Sequence, residues 1–384
     1  MLPRDLGRLK LSLFLIGCGS GLFVYLLPLY VRALGGNAVA VGIVLAVQAA
    51  LAAVATSLVG FAADRVGRRV VMRVAALAAL PGVALWVVAP RWEWLIPGAV
   101  LYGISVAGFP ALVAYLSHAD EEHVGLFGSV FAFFSLGTIA SPSLGGLIAA
   151  QLHSMRPVFG LSFVLLAGSA LALWNVTPQA RAPRVPGTGG PRALITNKRF
   201  VLIVSFHAVL ICAMSMPTSF VGPFLQDVDH AGDAAVGLLG SCVSLGEFLI
   251  ALSLGRLSGR LGRLGALLLL QAALIVSLAA LLTIHAAALL VGPFMLRGAI
   301  NAASILLFAV VGGTLPTAQR GTGFGLMESS YQVGTMVGAS AGGLLYAGGP
   351  SRPFQMSLVL LGVTMVLSML MRPVIAEREI EVAA

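Results

Sequence analysis

The 384 residues are 59% hydrophobic and only 10% charged, with a formal net charge of +9. No water-soluble domain of this length hides so much apolar surface in one core, so lipid is the solvent for most of the chain. The basic balance gives no reason to expect nucleic acid, because Lys and Arg lie in short connectors between apolar runs and do not cluster on one solvated face.

Crossing roughly 30 Å of hydrocarbon takes about 20 apolar residues, with every backbone hydrogen bond satisfied internally. Stretches such as residues 38–63 are apolar all round and lack the alternation of a membrane barrel, so helices are expected. Apolar runs predict spans near residues 11–34, 38–63, 70–90, 95–117, 126–150 and 157–176. Residues 177–198, rich in Pro, Gly and Arg, read as a flexible surface linker. A second set follows near 200–225, 234–256, 264–284, 287–313, 322–347 and 354–372. The expected fold is an all-α membrane protein with twelve transmembrane helices: an N-terminal six-helix bundle over 1–176, the linker over 177–198, and a C-terminal six-helix bundle over 199–384. The first run is too long for a signal-peptide core and is followed at once by another span, so it is expected to be retained. Cys18, Cys212 and Cys242 all fall inside apolar segments and read as small packing residues.

Counting basic residues on alternate sides puts 18 with the termini and linker, and four, Arg32, Arg91, Arg156 and Arg352, on the other side. The positive-inside rule then predicts a multi-pass protein of the inner or plasma membrane with both termini and the linker in the cytoplasm. Arg297 is left alone inside a span.

The halves repeat each other. Gly60, Arg65 and Gly67 recur 195 positions later as Gly255, Arg260 and Gly262. Gly128, Gly137, Ser141, Gly145 and Gly146 of span 5 return in span 11 as Gly325, Gly334, Gly338, Gly342 and Gly343, each shifted by 197. Chance hardly supplies so many in register, so the chain is read as a duplication of the kind that secondary transporters use.

The loop from Gly60 through Asp64, Arg65, Gly67, Arg68 and Arg69 resembles the G-x-x-x-D-R-x-G-R-R signature of the major facilitator superfamily, here of its drug/proton antiporter-type efflux branch. Span 5 is similar to that branch's glycine-rich antiporter motif through Gly128, Gly137, Pro142, Gly145 and Gly146, with Ser141 replacing one glycine. The resemblance implies two bundles rocking about a central site, a latch formed by the loop cluster, and glycine rows along which helices slide. The second loop has Gly259 where the Asp would stand, so a weaker latch is expected there. The branch's arginine in span 4 and its carboxylate in span 1 are both missing.

Glu247, Arg297 and Glu328 lie at apparent bilayer depth, with His207 a fourth proton-coupling candidate. An ionised carboxylate costs roughly 2.5–3.5 kcal/mol at mid-membrane. Neutralising a Glu at pH 7 costs about 3.7 kcal/mol. With the two so close, a small change in hydration or partner tips protonation, as proton coupling requires. The competing reading is a permanent ion pair between Arg297 and one of the glutamates. His207 is equally readable as a hydrogen-bonded packing residue or as a proton relay.

Tyr25, Gln48, Tyr102, Phe134, Met214, Asn301, Tyr331 and Gln332 complete the expected substrate cavity, a lining suited to amphipathic ligands. The loops 118–123 and 227–233 carry His and acidic residues but read as solvated surface, not metal sites. No cofactor is expected beyond a proton gradient, and the sequence carries no ATP-binding loop. The expected function is alternating-access export of small amphipathic or drug-like molecules by a monomer whose partners are the bilayer and its small-molecule substrate. The alternatives are a sugar or metabolite carrier, or uniport. An intramembrane enzyme is disfavoured because the spans contain no Asp.

Overall fold

The computed structural model describes residues 3–119, 124–177, 194, 196–315 and 317–376. The expected linker therefore lies almost wholly outside the described residues. Among those residues the chain is helical, and ten helices are long and apolar enough to cross a membrane. The outer surface suits lipid: Leu171, Leu252, Leu344 and Leu370 are 66–72% exposed with no polar neighbour needed.

Span 1 begins earlier than expected, at Pro3, because Asp5 is buried at the helix start, where it accepts from the Thr177 backbone amide and hydroxyl. Span 2 is the helix Ala38–Val66 and span 3 is Arg68–Val88, joined by Gly67 at φ 94° and ψ 144°. Expected spans 8 and 9 form one run, Asp233–Thr283, broken at Gly262 with φ 71° and ψ 170°. Gly67 and Gly262 are a repeat pair, so both halves turn on a left-handed backbone that only glycine enters without strain. Spans 5, 6, 11 and 12 are the helices Val124–Leu152, Arg156–Trp174, Thr317–Gly348 and Arg352–Leu370.

Four spans are not continuous, a feature that hydropathy does not reveal. Span 1 divides into Pro3–Val24 and Leu27–Ala33, and span 4 into Leu95–Ser105 and Gly108–Ala119. Span 7 divides into Lys198–Thr218 and Val221–Asp227, and span 10 into Val291–Leu296 and Ala299–Thr314. Pro28, Pro110 and Pro223 each stand in the first turn of the second piece, where a missing N–H does least harm. The breaks occur at equivalent places in each group of three spans. Interrupted backbone at membrane depth is tolerated where it is enclosed by protein or faces a cavity, so these four breaks mark the centre of the molecule.

The halves meet along two seams. Span 2 packs on span 11, with the Gly42 Cα facing the Ala339 carbonyl so closely that an added Cβ would stand 2.8 Å from it. Span 5 packs on span 8, where a Cβ on Gly146 would stand 2.5 Å from the Asp233 carbonyl. Gly42 and Gly237 are separated by 195 positions, and Gly146 and Gly343 by 197. Gly42 faces Gly343 while Gly237 faces Gly146, so one seam is the repeat image of the other. Both glycine crossings lie toward the face remote from the termini, called here the far face.

Candidate functional site

Residues from spans 1, 7, 8, 10 and 11 converge beside the breaks. Gly246 and Gly298 let span 8 and span 10 touch backbone to backbone, since a Cβ on either would collide with the Met295 carbonyl or the Glu247 amide. Glu247 and Arg297 are carried immediately next to this contact. Their side chains nevertheless part. The Glu247 carboxyl is in hydrogen-bonding reach of Asn301, while Arg297 Nη2 donates to Thr218 Oγ1 at 2.9 Å. Among the described residues no carboxylate forms an ion pair with Arg297. The permanent ion pair considered from sequence is therefore not made; the guanidinium follows the break in span 7 instead. Arg297 is 5% exposed and its Nη1 is buried without a hydrogen-bond partner.

Tyr25, at the break in span 1, is the N-terminal half's contribution. Its ring presses on Gly240 of span 8, and its hydroxyl is within hydrogen-bonding reach of Ser244 and in electrostatic range of Glu247 and Arg297. Tyr331 of span 11 is in electrostatic range of Glu328, Glu247 and Tyr25. Glu328 accepts from Gln332 Nε2 at 2.9 Å, the i,i+4 pairing that the sequence spacing allows. Chemically this is a partly polar cluster of two carboxyl groups, one guanidinium and two phenols in apolar surroundings, set between the halves.

The far face above it is closed by charge as well as by glycine packing. Arg32 Nη2 of span 1 donates to Asp227 Oδ1 of span 7 at 2.8 Å, and Tyr346 Oη of span 11 donates to Asp227 Oδ2 at 2.7 Å. Just inside, Ser143 and Ser241 share a 2.7 Å hydrogen bond across the span 5–span 8 seam. Read from sequence, Arg32 counts only toward topology and Asp227 only toward a solvated loop. A signal exists nonetheless: the two are 195 residues apart, so the duplicated position carries opposite charges in the two halves.

The Major Facilitator Superfamily model matches residues 9–232 and 203–382, which together cover nearly the whole chain. The chain belongs to the major facilitator superfamily. It is a transporter and not an enzyme. Among curated relatives it is 28% identical over 276 residues to the "Multi-drug resistance efflux pump PmrA homolog" of Lactococcus lactis, covering 67% of each chain. It is 27% identical over 243 residues to "Multidrug resistance protein 1" of Bacillus subtilis, covering 60% of this chain and 61% of that one. The chain thus spans about two thirds of the length of these relatives. Solved structures share the fold at lower identity. The nucleoside transporter NupG aligns with TM-score 0.77 at 18% identity over 97% of this chain and 99% of that one. A bacterial homologue of the iron transporter ferroportin, inward-facing, aligns with TM-score 0.72 at 15% identity over 96% and 98%.

Within this superfamily fold the other predicted residues sit as follows. His207 is wholly buried between Ser330, 2.8 Å from Nδ1, and Ser304, 3.2 Å from Nε2, with its ring edge-on to Phe308. Tyr102 belongs to an aromatic cluster with Phe23 and Trp86 inside the N-terminal half. Gln48 of span 2 is partly buried with its Oε1 unpartnered, and its backbone carbonyl packs on Gly103 of span 4. Met214 is buried core, and the Phe134 carbonyl packs on Gly17. In span 5, Gly137 and Gly145 receive the carbonyls of Phe14 and Leu22 of span 1, and the Pro142 carbonyl meets Gly237. Gly128 lies on the same helix, but its surroundings are outside the described residues.

The loop cluster is described only in part: the side chains of Asp64 and Arg65, and the surroundings of Gly60, lie outside the described residues. Arg69 donates to the Trp174 carbonyl at 3.0 Å, and Arg73 donates to the same oxygen while stacking 4.5 Å from the Trp174 ring. These arginines tie span 3 to the end of span 6 within one half. Arg68 is partly buried at the start of span 3. The acidic residues of the loop after span 7 take separate partners: Asp229 with His285 at 2.8 Å, and Asp233 with Gln226 at 2.8 Å. Residues 120–123 of the other loop lie outside the described residues.

Proposed function

We propose that this transporter exports small amphipathic or drug-like molecules by alternating access, driven by protons moving inward through Glu247 or Glu328. It acts as a monomer in the cell membrane, inner or plasma, with both termini in the cytoplasm, so that the far face is the external one. The observation that carries this reading is the meeting of Tyr25 from one half with Glu247, Arg297 and Tyr331 from the other, beneath a face closed by the Arg32–Asp227 pair. A polar cluster built from both halves changes whenever they rock, which is the requirement for exposing one site to each side in turn. The multidrug efflux relatives support export of amphipathic molecules. Proton coupling rests on the two glutamates: Glu247 is paired with the Asn301 amide and Glu328 with the Gln332 amide, and among the described residues neither forms an ion pair.

The test is dye transport in proteoliposomes under an imposed pH gradient, comparing the wild type with Glu247→Gln and Glu328→Gln. Gradient-driven dye accumulation that one or both substitutions abolish is the expected result. Transport indifferent to both the gradient and the substitutions removes proton coupling and leaves uniport. No dye movement by the wild type overturns the export reading.

A further inference from the structure

An unpaired guanidinium in the middle of a membrane protein needs an explanation. An Arg at mid-membrane costs roughly 2.5–3.5 kcal/mol even on the most lenient scale, and a buried cation without a counter-ion adds to that. Arg297 accepts this cost although a carboxylate stands nearby: Glu247 flanks the same helix contact, yet its carboxyl is turned to Asn301. Glu328 is likewise turned to Gln332. One arm of the guanidinium is fixed by Thr218, which leaves Nη1 buried and unpartnered, with Tyr25 in electrostatic range of the group. The side chain is held rigidly from behind, because Gly298 and Gly246 fix the backbone on which it stands. A rigid, desolvated donor with no protein acceptor is complementary to an acceptor brought by a ligand, and a planar guanidinium best matches a carboxylate.

We propose that Arg297 binds the carboxylate of an acidic amphipathic substrate, so that the transporter selects molecules with an anionic group on an apolar body. The Tyr25 and Tyr331 rings provide the apolar and aromatic contact on either side of that group, one from each half. Glu247, whose carboxyl turns to Asn301, holds no part of the guanidinium, so its substitution leaves the acid preference in place. This inference rests on the export reading for its meaning, but its measurement does not.

Binding of pyrenebutyrate and of its neutral analogue pyrenebutyramide to the full-length protein in detergent tests it, followed by pyrene fluorescence anisotropy. The wild type is expected to bind the acid about tenfold or more tightly than the amide, the size expected for a charge-assisted hydrogen bond. Arg297→Gln is expected to erase that preference while binding the amide as before, which also reports that the variant is folded. Glu247→Gln is expected to hold the preference. Equal binding of acid and amide by the wild type overturns the proposal, as does a preference that survives Arg297→Gln. If Arg297→Gln does not fold, the wild-type comparison still decides. Dye export in the same preparations separates the two readings: a protein that exports dye but shows no acid preference retains the transport assignment and loses this one.

Discussion

Breaking the far-face closure is the most direct test of how this molecule moves. Asp227 accepts from Arg32 at 2.8 Å and from Tyr346 at 2.7 Å, and Asp227→Asn removes the charge behind both bonds while keeping the side chain's shape. Arg32 and Asp227 are 34% and 31% exposed, so solvent screens the ion pair and it contributes about 0–1 kcal/mol. The hydrogen bond from Tyr346 joins spans 11 and 7 of the same half, so it orients Asp227 but does not break when the halves part. At the upper half of that range, about 0.5–1 kcal/mol, the substitution should raise the open fraction about 2- to 5-fold. Ser143 is a convenient reporter, since Ser241 covers it across the seam at 2.7 Å. In a background with Cys18, Cys212 and Cys242 replaced, Ser143→Cys should react with a membrane-impermeant maleimide from the far face at a rate proportional to the open fraction. Asp227→Asn and Arg32→Gln should each accelerate labelling, and the exchanged pair Arg32→Asp with Asp227→Arg should restore most of the wild-type rate. Labelling within twofold of wild type in both single variants would refute the assignment of this cluster as a gate.

The remaining expectations concern the packing that supports the movement. Gly146→Val puts a branched side chain 2.5 Å from the Asp233 carbonyl, so it should prevent far-face closure and cut transport at least about tenfold while the protein still inserts, checked by proteoliposome flux against membrane yield. Gly262→Ala forces a side chain onto φ 71°, ψ 170° and should cost about 1–3 kcal/mol, lowering the detergent melting temperature, whereas Gly259→Ala, with nothing within 4 Å of its new Cβ, should not. His207→Ala empties a sealed site and strands the Ser304 hydroxyl, while Ser330 keeps its bond to the Met327 carbonyl, so it should destabilise by about 2–4 kcal/mol in thermal unfolding, with the proton dependence of transport unchanged. A change in that dependence with intact stability would instead make His207 a relay.

Much of this protein is readable without coordinates, for a physical reason. Lipid forces spanning segments to be long, apolar and helical, so hydropathy alone locates the spans, and a duplicated chain prints its symmetry as a constant offset. Offsets of 195 and 197 extend to features that hydropathy cannot see: the positive-φ turns at Gly67 and Gly262, the crossed glycine seams, and the Arg32–Asp227 pair. Intramembrane charge likewise singles out Glu247, Arg297 and Glu328, because such residues are too costly to carry without use.

Tertiary packing decided the rest. The breaks in spans 1, 4, 7 and 10 are not legible in hydropathy, because the apolar composition runs through them, although Pro28, Pro110 and Pro223 stand at three of them. Partner choice was also undetermined. Glu247 and Arg297 stand on adjoining backbone yet turn apart, to Asn301 and to Thr218, because rotamers and helix breaks set direction where spacing sets only proximity. Sequence thus determined which groups the membrane interior holds, and only the packed helices decided which of them are satisfied and which are left facing the centre.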